Sequence, residues 1–131
     1  MKKNTTLGLM IDSVSNGDLD DIIKFFQDQY IVDDIIVFSK DPLLCEINHN
    51  YGVLSLYYLK FYKGTIVFFT LEDYMQYKEY SLSKNIYLYM HNINDIDNIE
   101  NIDRNMIKNI QIITPNQESN KIELFNIKSL I

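Results

Sequence analysis

The residues best suited to chemistry lie where predicted strands end. His91 directly follows "NIYLYM", residues 85–90, and an imidazole at that edge of a sheet could act as a general acid or base or hold a ligand by hydrogen bonds. A loop histidine can also bond the backbone or cap the next element, and that alternative stays open. If this edge carries a reaction, we expect His91 to be the catalytic residue.

A second candidate site follows the apolar run "LGLMI", residues 7–11. Asp12 comes directly after the run, and Asn16 and Gly17 occupy the polar turn that leads to the next helix. In open parallel sheets, ligands bind beyond the carboxyl ends of the strands. We therefore predict that Asp12, Asn16 and Gly17 are ligand-binding residues.

Phosphate binding at this turn is disfavoured. A dinucleotide site needs a G-x-G-x-x-G pattern, and the turn has one glycine. Asp18, Asp20 and Asp21 fall on the first helical turn, where they stabilise the helix dipole and repel the phosphate that this dipole would attract. We expect these acids to cap and solvate the helix.

The sequence favours neither a metal nor a cofactor. The acidic turn supplies oxygen ligands for Mg²⁺, as in phosphorelay receiver domains, but Thr70 ends the third predicted strand where a receiver has its acceptor Asp. The lysine that a receiver has after its fifth strand is also missing, since Thr114 and Pro115 stand there. Cys45 and His49 are not spaced for zinc, and Cys45 among apolar neighbours is typical of an inert thiol.

Charge and composition exclude several classes of partner. The chain has 131 residues, a net charge of −6 and a pI of about 4.7. An acidic surface repels nucleic acid and anionic lipid, and no apolar run has the roughly 18 residues of a membrane helix. We expect a cytoplasmic protein. Abundant Ile, Asn and Lys with no Ala indicate an AT-rich genome, as in a phage, another virus or an AT-rich bacterium.

Hydrophobic periodicity places these residues on alternating strands and helices. A stripe of Leu19, Ile22, Ile23 and Phe26 predicts a helix, and caps at Ser15–Asp18 and Thr70–Asp73 predict helix starts. The strands are predicted at 7–11, 33–38, 65–70, 85–90 and 110–114, and the helices at 19–26, 50–64, 71–78 and 98–109. The tail from 116 to 131 fits a helix or an edge strand equally well.

The alternation predicts an α/β fold. We expect a single domain over residues 1–131, a three-layer Rossmann-like or flavodoxin-like sandwich with about five mainly parallel strands. In the predicted helix 50–64, Tyr57 and Tyr58 are expected to be half-buried against the sheet, and Gly64 to form a left-handed cap. Tyr77 and Tyr80 lie off the apolar stripe and could form an exposed aromatic patch, although ordinary packing together with codon bias is the favoured explanation.

The order of elements resembles the N-terminal half of two-domain (GT-B) glycosyltransferases. "TLGLMIDSVSNGDLDDIIKFFQDQYIVDDIIVFSKD" is similar to that family's first strand, glycine loop, helix and second strand, and "KNIYLYMHNI" to a later strand followed by His. The resemblance implies that Gly17 is the loop glycine and that His91 lies near the acceptor. The family holds its nucleotide-sugar donor mainly in a second domain, so this half alone is not expected to transfer sugar.

Two functions follow as hypotheses. The first is a non-catalytic binding or protein-interaction module, with a protein partner or a second copy, in the cytoplasm or in a virion. The alternative is the acceptor-side half or a subunit of an enzyme that acts on a sugar or nucleotide. A small sugar or nucleotide ligand is compatible with both.

Overall fold

A computed structural model describes residues 2–11, 16–42, 51–77, 79, 82–83, 85–91, 111–116, 118–119 and 121–125. Its strands are β1 Lys3–Met10, β2 Tyr30–Ser39, β3 Gly52–Ser55, β4 Thr65–Phe68, β5 Asn85–Tyr89, β6 Gln111–Pro115 and β7 Ile122–Phe125. Its helices are α1 Asn16–Gln29, a 3-10 helix Leu56–Phe61, and α2 Leu71–Tyr77. None of these helices is long and apolar enough to cross a membrane.

The strands form one sheet in the order β3-β2-β1-β4-β5-β6-β7. Neighbouring strands are parallel except β6 and β7, which pair antiparallel. The predicted α/β class and mainly parallel sheet are thus confirmed. The prediction of about five strands was too low, because β3 and β7 lie in segments predicted as a helix and as an ambiguous tail. The predicted helix at 98–109 lies outside the described residues.

Each face of the sheet carries its own buried cluster, because successive strand residues point to opposite faces. On one face α1 buries Leu19, Ile22, Ile23 and Phe26, the stripe that predicted it, and the Phe26 ring meets Tyr87 edge-on at 4.9 Å. On the other face the 3-10 helix and α2 pack on a cluster that includes Phe38, Phe68 and Leu88. The connections after β1 and β4 therefore lie on opposite faces.

The helix predicted over 50–64 is wrong in its first half and differently wound in its second. Val53 and Leu54 pair with Val37 and Phe38 of β2, so the sheet satisfies the backbone that a helix would have satisfied internally. The following turns are 3-10, with three residues per turn, and this period places Leu56, Leu59 and Tyr62 on the sheet side.

A period of 3.6 had instead predicted Leu54, Tyr57, Tyr58 and Phe61 as the packed face. These side chains are exposed, Tyr57 at 65% and Tyr58 at 50%, so their predicted half-burial is also wrong. Tyr77 is half-buried against the cluster beside α2, in agreement with ordinary packing and not with an exposed patch, and Tyr80 lies outside the described residues.

Gly64 is required for close packing and not for a left-handed turn. Its φ lies outside the left-handed region, but a Cβ here would overlap Thr6 Oγ1 and the Tyr62 hydroxyl. The Tyr62 hydroxyl donates to the Thr65 carbonyl at 2.8 Å, directly beside this position. The connection from the 3-10 helix to β4 therefore needs a residue without a side chain at position 64.

A row of polar side chains joins four strands near their amino ends, on the face that α1 covers. Thr5 Oγ1 lies 2.9 Å from Thr65 Oγ1, the Asn85 amide donates to Thr65 Oγ1 at 3.1 Å, and the Gln111 amide donates to Asn85 Oδ1 at 2.9 Å. Hydrogen bonds thus link the amino ends of these strands, and the candidate site lies at their carboxyl ends.

Candidate functional site

The candidate site lies at the carboxyl ends of the strands, beside the first turn of α1. β1 and β4 are neighbours, yet the chain leaves β1 through α1 on one face and leaves β4 through α2 on the other. Such a topological switch point is where open α/β sheets bind their ligands. β5 is the next strand beyond β4, and His91 follows it.

His91, Tyr89 and Asp18 come together at this edge. The Tyr89 hydroxyl lies 3.2 Å from His91 Nδ1, and Asp18 Oδ1 lies 4.0 Å from the same nitrogen. The His91 side chain is 74% exposed and that of Asp18 is 32% exposed, so both are open to solutes. The three groups together offer a carboxylate acceptor, a hydroxyl and an imidazole.

The backbone explains why these side chains meet. Tyr89 and His91 are two residues apart along the direction of β5, so they point toward the same face, the one that α1 covers. Asp18 lies in the first turn of α1, which begins where β1 has left the sheet. The Phe69 ring, just past β4, lies 5.7 Å from the Tyr89 ring and adds an aromatic wall.

The electrostatic potential at Tyr89 is negative. Burial, with smaller contributions from the charges of Asp18 and Asp21, raises the pKa of Tyr89 to about 12. The phenol is therefore a neutral hydroxyl across the physiological range, able to donate or accept a hydrogen bond. A phosphate bound at this edge would be repelled by the same two carboxylates.

An ion pair occupies the opposite face of the same edge. Lys40, directly after β2, lies 3.2 Å from Asp73 Oδ1 in α2, and Asp73 is buried. Thr70 caps α2 by accepting the Asp73 backbone N–H at 3.0 Å, which confirms the predicted cap. This pair ties the end of β2 to α2 beside the sheet edge.

The structure describes some of the predicted site residues and not others. His91 stands at the expected edge, with the two partners given above. Asn16 and Gly17 are the first residues of α1, and their side chains lie outside the described part; Asp12, Cys45 and His49 lie wholly outside it. Their predicted roles, and that of His91, stay predictions. Among the described residues no three His, Cys, Asp or Glu side chains are grouped to hold a metal.

The sequence did not predict that Tyr89, Phe69 and Asp18 lie together beside His91. Tyr89 was one of many tyrosines, but its spacing of two from His91 was a readable sign that both share a face. Asp18 was predicted to cap and solvate the helix, after a role in binding Mg²⁺ had been disfavoured. Its nearness to His91 depends on β1, β4 and β5 being adjacent, which no local pattern indicates.

No protein family, curated protein or solved structure matches this chain. The functional interpretation therefore depends on the geometry of this edge.

Proposed function

We propose that this chain is a non-catalytic binding domain with a Rossmann-like three-layer fold, and that it binds a small polyhydroxylated ligand, a sugar or a nucleoside, at the carboxyl edge of its sheet. The observation that carries the proposal is the convergence of Asp18, Tyr89 and His91 beside the β1–β4 switch point.

The strand order supports the fold assignment. Strands one to six follow the order 3-2-1-4-5-6, the arrangement of doubly wound sheets, with α1 on one face and α2 on the other. The kinship with GT-B glycosyltransferases is part of this proposal, since the resemblance also places Gly17 and His91 at the ligand edge.

The chemistry of the edge favours an uncharged ligand rich in hydroxyls. A carboxylate accepts hydrogen bonds from vicinal hydroxyls, and Tyr89 and His91 can donate or accept alongside it. The Phe69 ring offers an apolar surface for a sugar or a base. Asp18 and Asp21 act against a bound phosphate, so we expect a nucleoside to bind more tightly than its 5′-phosphate.

The second candidate is the acceptor-side half or a subunit of an enzyme acting on a sugar or nucleotide. The observation that favours it is the carboxylate 4.0 Å from the imidazole, an arrangement that can orient a general base. His91 would then take a proton from the acceptor hydroxyl.

Isothermal titration against matched pairs tests the proposal, using each nucleoside with its 5′-phosphate and each sugar with its nucleotide conjugate. Asp18→Asn should weaken binding of a nucleoside or sugar about tenfold, because a charged acceptor becomes a neutral amide. Asp28→Asn removes an acid from the far end of the same helix and is the matched control, expected to bind as wild type.

The proposal would be overturned if no ligand of the panel binds. It would also be overturned if Asp18→Asn and Asp28→Asn lower the affinity equally. His91→Gln separates the two candidates. In a binding domain the substitution should lower the affinity for the ligand, whereas in the acceptor-side half of an enzyme, where His91 acts as a base, it should leave acceptor binding unchanged.

A further inference from the structure

The described strand β3, at one end of the sheet, carries no charged side chain. β3, Gly52–Ser55, pairs with β2 and ends the strand order, so among the described residues its outer backbone groups have no strand beside them. Edge strands commonly carry Lys, Pro, a bulge or an inward-pointing charge, which prevents them from pairing with a strand of another chain. The sequence "GVLS" has none of these.

An exposed aromatic surface follows this strand directly. We call Tyr57, Tyr58 and Phe61 of the 3-10 helix the aromatic surface; they are 65%, 50% and 63% exposed. Lys60 holds its ammonium 4.0 Å from the centre of the Tyr57 ring, so the patch carries one cation inside an acidic chain. Leu54 of β3 is 39% exposed and, paired beside Phe38, lies on the same face of the sheet.

We propose that two copies of this chain pair through their β3 strands, antiparallel, to form a symmetric dimer with a continuous fourteen-stranded sheet. A twofold axis perpendicular to the sheet relates two identical strands in antiparallel pairing. Such an axis keeps each face of the sheet on its own side. In this dimer both aromatic surfaces therefore lie on the same face of the joined sheet, each on the 3-10 helix that directly follows the paired β3 strand.

The exposed area is large enough for an interface with a second copy. Three aromatic side chains at these exposures present roughly 350 Å², and two copies would cover about twice that area. Leu54, the stem of Lys60 and the backbone of the two edge strands extend the interface to about 1,200 Å², the lower end for specific complexes. We expect a dimer with a Kd in the micromolar range, strengthened by salt that screens the −6 charge of each copy.

The other edge of the sheet is built differently. β7 carries the exposed Glu123, whose carboxylate accepts from the Asn116 amide at 3.2 Å, and Lys121 precedes the strand. Charges on an edge disfavour pairing with another strand. β7 nevertheless exposes Leu124 at 52%, which provides a matched control for Leu54.

Sedimentation velocity over about 5 to 500 µM full-length protein tests the proposal. Wild type should pass from monomer to dimer across this range. Leu54→Lys should weaken the dimer at least about tenfold, because it places a charge at the pairing edge beside its own symmetry mate. Leu124→Lys adds the same charge to β7 and should leave the dimer unchanged.

A second variant tests the proposal independently if Leu54→Lys fails to fold. Tyr58→Ser leaves the edge strand intact, removes one exposed ring and should weaken the dimer severalfold, with circular dichroism reporting the fold of every variant. Hydrogen exchange should show β3 amides protected more at high than at low protein concentration. A monomer at the highest concentration overturns the proposal, as does a dimer that survives Leu54→Lys or dissociates with Leu124→Lys.

Discussion

Two buried threonines show how hydrogen-bond partners determine what a hydroxyl contributes. Thr65 is 2% exposed, and its Oγ1 interacts with Thr5 and Asn85 in the polar row across the sheet. Thr114 is 3% exposed, and among the described residues it carries the buried side-chain oxygen that lacks a partner. Both have the same shape and lie in strands, so they differ chiefly in hydrogen bonding.

We predict that Thr114→Val increases the free energy of unfolding by about 1 kcal/mol. The valine keeps the volume and removes the cost of burying an unsatisfied hydroxyl. Urea unfolding followed by circular dichroism measures the change. Thr65→Val is the control and should lower stability by about 1 kcal/mol or more, because it leaves the Asn85 amide short of an acceptor. Destabilisation by both variants would contradict this account of Thr114.

At the scale of single elements, local pattern predicted α1 and α2 well. The i, i+3, i+4, i+7 stripe of α1 is buried, and the Thr70 cap begins α2 at Leu71. β3 could not be predicted in the same way, because "GVLSLYYLKF" matches a helical period by chance. Its four strand residues gain their backbone hydrogen bonds from β2, which lies far away in sequence.

The cap of α2 can be tested by removing one hydroxyl. Thr70→Ala should lower the free energy of unfolding by about 1 kcal/mol, because the Asp73 N–H loses its acceptor in a helix of only seven residues. Thr70→Ser keeps the hydroxyl and should stay within about half of that loss. If thermal unfolding shows Ala and Ser to be equivalent, the methyl group of Thr70 matters and the cap does not.

At the scale of the whole molecule, burial of tyrosine couples folding to alkaline pH. Burial is the largest cause that raises the pKa of Tyr62, of Tyr87 and of Tyr89 to about 12, from the ordinary value of 10.0. Above pH 10 the unfolded chain loses phenolic protons that the folded chain retains, so unfolding becomes more favourable. The stability contributed by these groups is complete below pH 10 and declines as the pH rises toward 12.

We therefore predict a falling free energy of unfolding between pH 10 and 12, measured by urea titration at each pH. Tyr62→Phe removes one titrating group and should decrease the slope of stability against pH, although it also costs the hydrogen bond to Thr65 at every pH. Tyrosinate absorbance reports the ionisation independently. An unchanged slope in Tyr62→Phe would show that Tyr62 does not contribute.

The candidate site was predictable only in part. His91 could be placed at the candidate edge because the strand before it was readable. The start of α1 could be placed near Asn16 and Gly17, although these residues belong to the helix and not to the predicted turn before it. Tyr89 and Asp18 were visible as residues but not as neighbours of His91. Their convergence requires the order of β1, β4 and β5, which follows from packing over the whole chain.

By itself the sequence determined the α/β class, the mainly parallel strands, the buried stripe of α1 and the cap of α2, because these depend on residues a few positions apart. The tertiary structure alone decided the strand order, the conversion of 52–55 into a strand, the antiparallel β7 and the exposed aromatic surface. The strand order and the strand at 52–55 depend on backbone partners beyond the reach of a local pattern, β7 depends on its pairing with β6, and the exposed aromatic surface depends on how the 3-10 helix packs on the sheet. Edge strands and short helices have too few local contacts to determine a conformation by themselves.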